Sequence, residues 1–205
     1  MNDDGMSCAA HVDNRIFLLI LQHPREKREA LATAALTVAM LRRASLVMGL
    51  SWPNLGRALG RPADPRRWVV AYLGSTRPKT SAPERDVVVV DRRGEPVANQ
   101  QFALRDLDGV VLLDGSWSEA KALWWRNPWL LKLRRVVLNP QRPSHYNRLR
   151  REPRREALST IEAAALLLCR IEERPEIETK LTDALDRLIA ETRPHHGRNP
   201  APISA

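Results

Sequence analysis

Short, unbroken apolar runs alternate along the chain with longer stretches whose apolar residues recur every three or four positions. The runs are Ile16–Leu21 (IFLLIL), Trp68–Leu73 (WVVAYL), Val87–Val90, Val110–Leu113 and Val136–Leu138. Runs of this length, ended by polar or turn residues, suit strands covered on both faces. Leu46–Leu50 adds a further short strand. Glu26–Arg43 reads as a helix with Ala30, Ala34, Val38 and Leu41 on one face, and Arg42-Arg43 suit its negative end. A second helix places Ile161, Ala165, Leu168 and Cys169 on one face. After Arg174-Pro175, a third carries a stripe of Ile177, Leu181, Ala184, Leu185 and Leu188. Strands alternating with helices predict an α/β domain, a single mainly parallel sheet with flanking helices.

The stretch Val110–Pro128, VVLLDGSWSEAKALWWRNP, organises the rest. Its four apolar residues end at Asp114-Gly115. Ser116 and Glu119 have the spacing of a capping box, Ala120, Leu123 and Trp124 follow at helical spacing, and Pro128 stops the helix. Asp114 therefore stands at the carboxyl end of a central strand, beside a helix N-terminus, where open α/β sheets hold their ligands. An ordinary strand–helix unit with a good cap fits the same residues, but Trp117 is an unusual choice for a mere turn. It can stack on a base or fill the core. Trp124, Trp125 and Trp129 suit core and rim packing. Ser159, Thr160, Ile161 and Glu162 form a second capping box, which needs no other purpose.

Connecting segments follow from turn chemistry. Gln22-His23-Pro24 ends the first strand, and His23 there suits a turn. Ser51–Gly60 is a short helix or turn, with Ser51 able to cap and Pro53 tolerated in the first turn. Gly74–Arg85 is a polar, Pro-containing loop. A turn at Arg93-Gly94 precedes a short helix near Asn99–Leu104, and Lys132–Arg135 is a basic turn. Asn139–Arg155 is a long irregular segment of the kind that is functional or disordered.

The chain has 205 residues, enough for one domain, expected over 15–193, with 1–14 and 194–205 disordered. Its 33 basic and 24 acidic residues leave a net charge of +9, which favours a polyanionic partner, nucleic acid first. The densest basic cluster is Arg148, Arg150, Arg151, Arg154 and Arg155, with His145 and Tyr146 interleaved. It is either a solvated loop or a set of phosphate contacts. Cys8 and Cys169 alone make neither a disulfide framework nor a zinc cluster. No apolar run approaches the ~18 residues of a membrane span, and the N-terminus lacks the layout of a signal peptide. A cytoplasmic protein away from membranes is expected.

Four pieces, ILQHPRE (Ile20–Glu26), LLDGSW (Leu112–Trp117), HYNRLRREP (His145–Pro153) and LSTIEAAA (Leu158–Ala165), occur in the order in which they occur in the DTW-domain family. The chain resembles these tRNA-uridine aminocarboxypropyltransferases from about Ile16 to Leu188. The resemblance implies a SPOUT-like, knotted α/β fold that binds S-adenosylmethionine as co-substrate. It implies transfer of the 3-amino-3-carboxypropyl group to N3 of a tRNA uridine, with methylthioadenosine released. It further implies Asp114 as the catalytic residue. Leu113, Gly115, Ser116, Trp117, Ser159, Thr160 and Glu162 would hold the co-substrate, and His23, Arg148, Arg150, Arg151, Arg154 and Arg155 the RNA. Asp114 is the candidate base for the uridine N3–H. An ordinary carboxylate is weak for that proton, so burial would have to strengthen it. Alternatively it holds the uracil edge or the amino group of S-adenosylmethionine.

Two departures stand out. The family's usual Thr is Ser116 here, which keeps the hydroxyl. The N-terminal cysteine cluster that many members carry is reduced to Cys8, so no metal is expected. The rival functions are a SPOUT-like RNA methyltransferase using the same co-substrate, and a non-catalytic RNA-binding protein.

Overall fold

A computed structural model describes residues 11–25, 33–71, 86–91, 93–140 and 158–192. The polar loop at 74–85, the basic segment from 141 to 157, residues 26–32 and both chain ends lie outside these residues. Among the described residues there are six strands: β1 (Phe17–Gln22), β2 (Ala44–Met48), β3 (Trp68–Ala71), β4 (Val87–Val90), β5 (Gly109–Asp114) and β6 (Arg134–Leu138). They form one sheet in the order β2-β1-β5-β3-β6-β4. Neighbours are parallel except β4, which runs antiparallel to β6 at the edge. The helices are α1 (Thr33–Met40), α2 (Leu55–Leu59), α3 (Gln100–Arg105), α4 (Trp117–Arg126), α5 (Thr160–Glu172) and α6 (Pro175–Thr192).

The unbroken apolar strands have a simple cause. Successive strand residues point to opposite faces, and both faces of this sheet are covered. Leu18, Ile20, Val110 and Leu112 face a core completed by Ile161, Leu168, Ile177, Leu181 and Leu185 of α5 and α6. Leu19, Leu21, Val70 and Val111 face a second core with Leu55, Trp68, Trp129 and Leu130. Gly109 pairs with Trp68 across β5 and β3. A Cβ there would meet the indole ring at 2.4 Å, so only glycine lets the ring lie flat on that strand. None of the described helices is long and apolar enough to cross a membrane.

Several local expectations are corrected. Residues 11–14, expected to be disordered, pack onto the body. Val12 is buried and bridges Leu41, while the Asn14 side chain donates to Ile16 O and Arg43 O and accepts from the Arg43 amide. The same contacts end α1 at Met40, short of Arg42-Arg43. The Met40 carbonyl and Arg42 amide bond to Val12 instead of continuing the helix. Strand β2 lies two residues earlier than expected, in register with β1. Asn54, not Ser51, caps α2 by accepting from the Arg57 amide at 2.9 Å. Ser51 donates to Arg126 O. Trp129 is buried and Trp124 lies under the Arg135 guanidinium, but Trp125 is 75% exposed and packs neither core nor rim.

Cys169 is a core residue, as its helix position suggests. Burial, and then a hydrogen bond with Glu178, pushes its thiol up to about 11. Thiolate is the reactive form. With Cys8 replaced by serine, the folded protein should not react with an aromatic disulfide reagent at mildly alkaline pH, and one thiol should appear on denaturation. Rapid reaction of the native variant would show that the helix opens there.

Candidate active site

Asp114 is the last residue of β5 and is only 7% exposed. Its register partner on β1 is Gln22, whose side-chain amide donates to Asp114 Oδ2 at 2.8 Å. The other carboxylate oxygen, Oδ1, accepts a hydrogen bond from the Thr160 hydroxyl. The His23 amide adds a bond of 3.0 Å to the Asp114 carbonyl. Two strand ends and the first turn of α5 thus meet on one carboxylate. A carboxylate oxygen can accept more than one hydrogen bond, so Asp114 is held from two sides and retains capacity toward a ligand.

The turn after Asp114 is shaped by Gly115. Its φ is +148°, and a Cβ would lie 2.9 Å from Glu119 Cβ and 3.3 Å from His23 Cβ. The absence of a side chain lets Glu119 fold back under the turn. There Glu119 Oε2 accepts from both the amide and the hydroxyl of Ser116, at 2.9 and 2.7 Å. This is the reach-back half of the expected capping box, and it puts a second carboxylate beside the first. His23 lies against it, with Nδ1 3.5 Å from Glu119 Oε1 and accepting from the Arg25 amide at 3.3 Å. Gly115→Ala should cost about 1–3 kcal/mol of stability, the usual range for a side chain forced into such a backbone. It should also displace Asp114 and Ser116 together. A denaturation midpoint equal to that of the wild type would show that the turn relaxes freely.

Ser159 repeats the device at α5. Its amide and hydroxyl donate to Glu162 Oε2 at 2.8 and 2.6 Å, and the Glu162 amide returns to Ser159 Oγ at 3.4 Å. The capping box is real and still leaves Thr160 for Asp114. Ser159, Thr160, Glu162, Asp114, Gly115 and Ser116 therefore belong to one neighbourhood, as does His23, which is buried beside Glu119 and not on an outer surface. The Leu113 side chain is partly buried and packs against the second core. Trp117 is half exposed at the start of α4, so filling the core is not its role. Arg148, Arg150, Arg151, Arg154 and Arg155 lie outside the described residues. The reach of Glu119 back to Ser116 follows from the capping-box spacing, but Gln22 is a site residue that the sequence reading missed. Gln22 had a signal, since it lies inside the first of the four quoted pieces.

A cavity of about 500 Å³ lies elsewhere, lined by Val89, Phe102, Leu131, Leu133 and Arg134 among others. It sits where β6 begins and the antiparallel β4 ends, at the edge of the sheet opposite Asp114. It holds none of the candidate residues.

The chain matches the DTW domain over residues 6–193. It belongs to the DTW-domain family. Three curated relatives, all called tRNA-uridine aminocarboxypropyltransferase 2, are similar to this DTW chain. The Drosophila melanogaster protein is 33% identical over 176 residues, 83% of this chain and 62% of its own length. The Macaca fascicularis protein is 25% identical over 183 residues, 88% and 55% of the two chains. The Mus musculus protein is 26% identical over 176 residues, 84% and 53%. The DTW chain thus spans between half and two thirds of the length of the curated relatives it matches. No solved structure matches it. The resemblance carried by the four sequence pieces holds at the level of the family.

Proposed function

We propose that this DTW-domain protein transfers the 3-amino-3-carboxypropyl group of S-adenosylmethionine to N3 of a uridine in tRNA. The observation that carries the reading is the meeting of Gln22, Asp114 and Thr160 at one edge of the sheet. Each comes from a different one of the pieces that mark the family, and the relatives similar over most of the chain are named for this transfer.

In the reaction, N3 gives up its proton and bonds to the Cγ methylene of the donor. The Cγ–S bond breaks, its electron pair stays on sulfur, and methylthioadenosine leaves. Asp114 receives the N3 proton. Its two neighbours fix it at the edge, so the uracil is presented in one orientation, and alignment of N3 with Cγ supplies much of the rate. The donor carries a sulfonium and an ammonium. Asp114 and Glu119 bracket the Gly115-Ser116 turn, and Glu162 caps the adjoining start of α5, in a chain of net charge +9, so the site suits a cation while the rest of the surface suits tRNA. The N-terminus of α5, through Ser159 and Thr160, suits the carboxylate of the methionine part. The basic segment with Arg148, Arg150, Arg151, Arg154 and Arg155 contacts tRNA phosphates. Kinship with knotted SPOUT folds rests on the family resemblance and on the coarse architecture, a mostly parallel six-stranded sheet with a core on each face.

The test is mass spectrometry of nucleosides from tRNA incubated with the protein and S-adenosylmethionine. An acp-modified uridine with methylthioadenosine is expected. S-adenosylhomocysteine with a methylated nucleoside would mean a methyltransferase. Tight tRNA binding with neither product would mean a non-catalytic RNA-binding protein.

A further inference from the structure

Helix α4 buries one side through Ala120 and Leu123. On the other side, Trp117, Lys121 and Trp125 recur every fourth residue and so line a single face. All three are exposed, Trp117 at 50% and Trp125 at 75%. One exposed tryptophan needs no explanation, but two on one face with a cation between them form a patch of the kind that binds something.

The position of the face is as telling as its composition. The helix starts at the Gly115-Ser116 turn beside Asp114. It ends at Asn127, whose side chain donates to Leu50 O at 3.1 Å and accepts from the Trp52 amide at 2.8 Å. Leu50 and Trp52 follow the carboxyl end of β2, two strands away from β5. The face therefore runs along the carboxyl edge of the sheet, with about 12 Å of helix between Trp117 and Trp125. Met48 and Leu50, also exposed, stand at its far end. The helix has one acid, Glu119, and that is turned inward to Ser116. Its outward charges are Lys121 and Arg126. Aromatic planes spaced along a helix, with cations and no outward acid, match unpaired nucleotides, whose bases stack and whose phosphates pair.

Building on the tRNA reading above, we propose that the Trp117–Lys121–Trp125 face of α4 is the platform on which unpaired nucleotides flanking the target uridine stack. The face begins at the candidate active site, so a strand lying on it delivers the next nucleotide to Asp114.

Trp125 is the residue to test, because it lies far along the face and outside the site. In the full chain, Trp125→Ala should weaken tRNA binding about tenfold, the scale of one lost base stack. Trp125→Phe, which keeps a ring, should recover most of that loss. S-adenosylmethionine affinity and the rate at saturating tRNA should not change, so the effect falls on KM and not on kcat. If wild-type protein modifies tRNA and Trp125→Ala binds it equally tightly, the platform is wrong and the function stands. If wild-type protein binds tRNA without modifying it, the variant still tests the platform by affinity alone. If wild-type protein does not bind tRNA, both readings fall. If Trp125→Ala turns a dimer into monomers in sedimentation at unchanged tRNA affinity, the face joins two copies of the chain and the proposal is overturned.

Discussion

Asp114→Asn should nearly abolish tRNA modification while leaving the protein folded. The change keeps the size of the side chain, and the Thr160 hydroxyl can still donate to its remaining oxygen. On the other side the new amide faces the Gln22 amide, which can turn to present its oxygen, so the cost to the fold stays small. What disappears is the carboxylate proposed to take the uridine proton. Losing a positioned base typically costs a factor on the order of 100 to 10,000 in rate. Asp114→Glu should be almost as damaging, because one methylene moves the carboxylate off the point fixed by Gln22 and Thr160 in a reaction governed by alignment. Single-turnover measurement of acp transfer, with S-adenosylmethionine binding measured in parallel, separates the possible roles. Lost co-substrate binding in the Asn variant would assign Asp114 to the donor pocket. Near-normal turnover would make it structural and remove the central assignment.

The parts of this architecture that could be read from the sequence are those whose causes are local. The runs Ile16–Leu21 and Val110–Leu113 stand out because a strand covered on both faces is apolar at successive positions. The turn after Asp114 and the two Ser-to-Glu spacings stand out because a helix start needs donors satisfied within three residues. Gln22 was harder: its bond to Asp114 spans 92 residues of sequence, and only the pairing of β1 with β5 creates it. The same holds for Val12 and Asn14. They lie in a polar segment, and their partners Leu41 and Arg43 come from beyond α1. The direction of β4 was not legible either, since four valines suit an edge strand of either sense. Trp125 misled because apolar character alone suggests burial, whereas its spacing from Trp117 puts it on the outer side of α4.

Asn127 shows the other limit, and it carries the largest stability effect expected. In the sequence it is only the residue before the proline that stops a helix. In the fold it is fully buried and makes four side-chain hydrogen bonds. Its amide donates to Leu123 O at 2.7 Å and Leu50 O at 3.1 Å, and its oxygen accepts from the Trp52 amide at 2.8 Å and from Trp129 Nε1 at 3.2 Å. It thereby ties the end of α4 to the segment after β2 and to the indole beneath them. Asn127→Ala leaves two carbonyls and two N–H groups without these partners. Each buried orphan costs about 1–3 kcal/mol, and with partial relaxation the sum should be roughly 3 kcal/mol or more. Asn127→Asp should be at least as harmful, because it buries a charge and turns an acceptor toward two carbonyl oxygens. Denaturant midpoints at unchanged slope would measure both losses. The Ala variant should also bind tRNA more weakly than its folded fraction explains, since a loosened α4 no longer holds the Trp125 end of its outer face in line with Asp114. If instead it unfolds within about 0.5 kcal/mol of the wild type, as an ordinary surface change would, the end of α4 is held by packing alone and Asn127 is not its anchor.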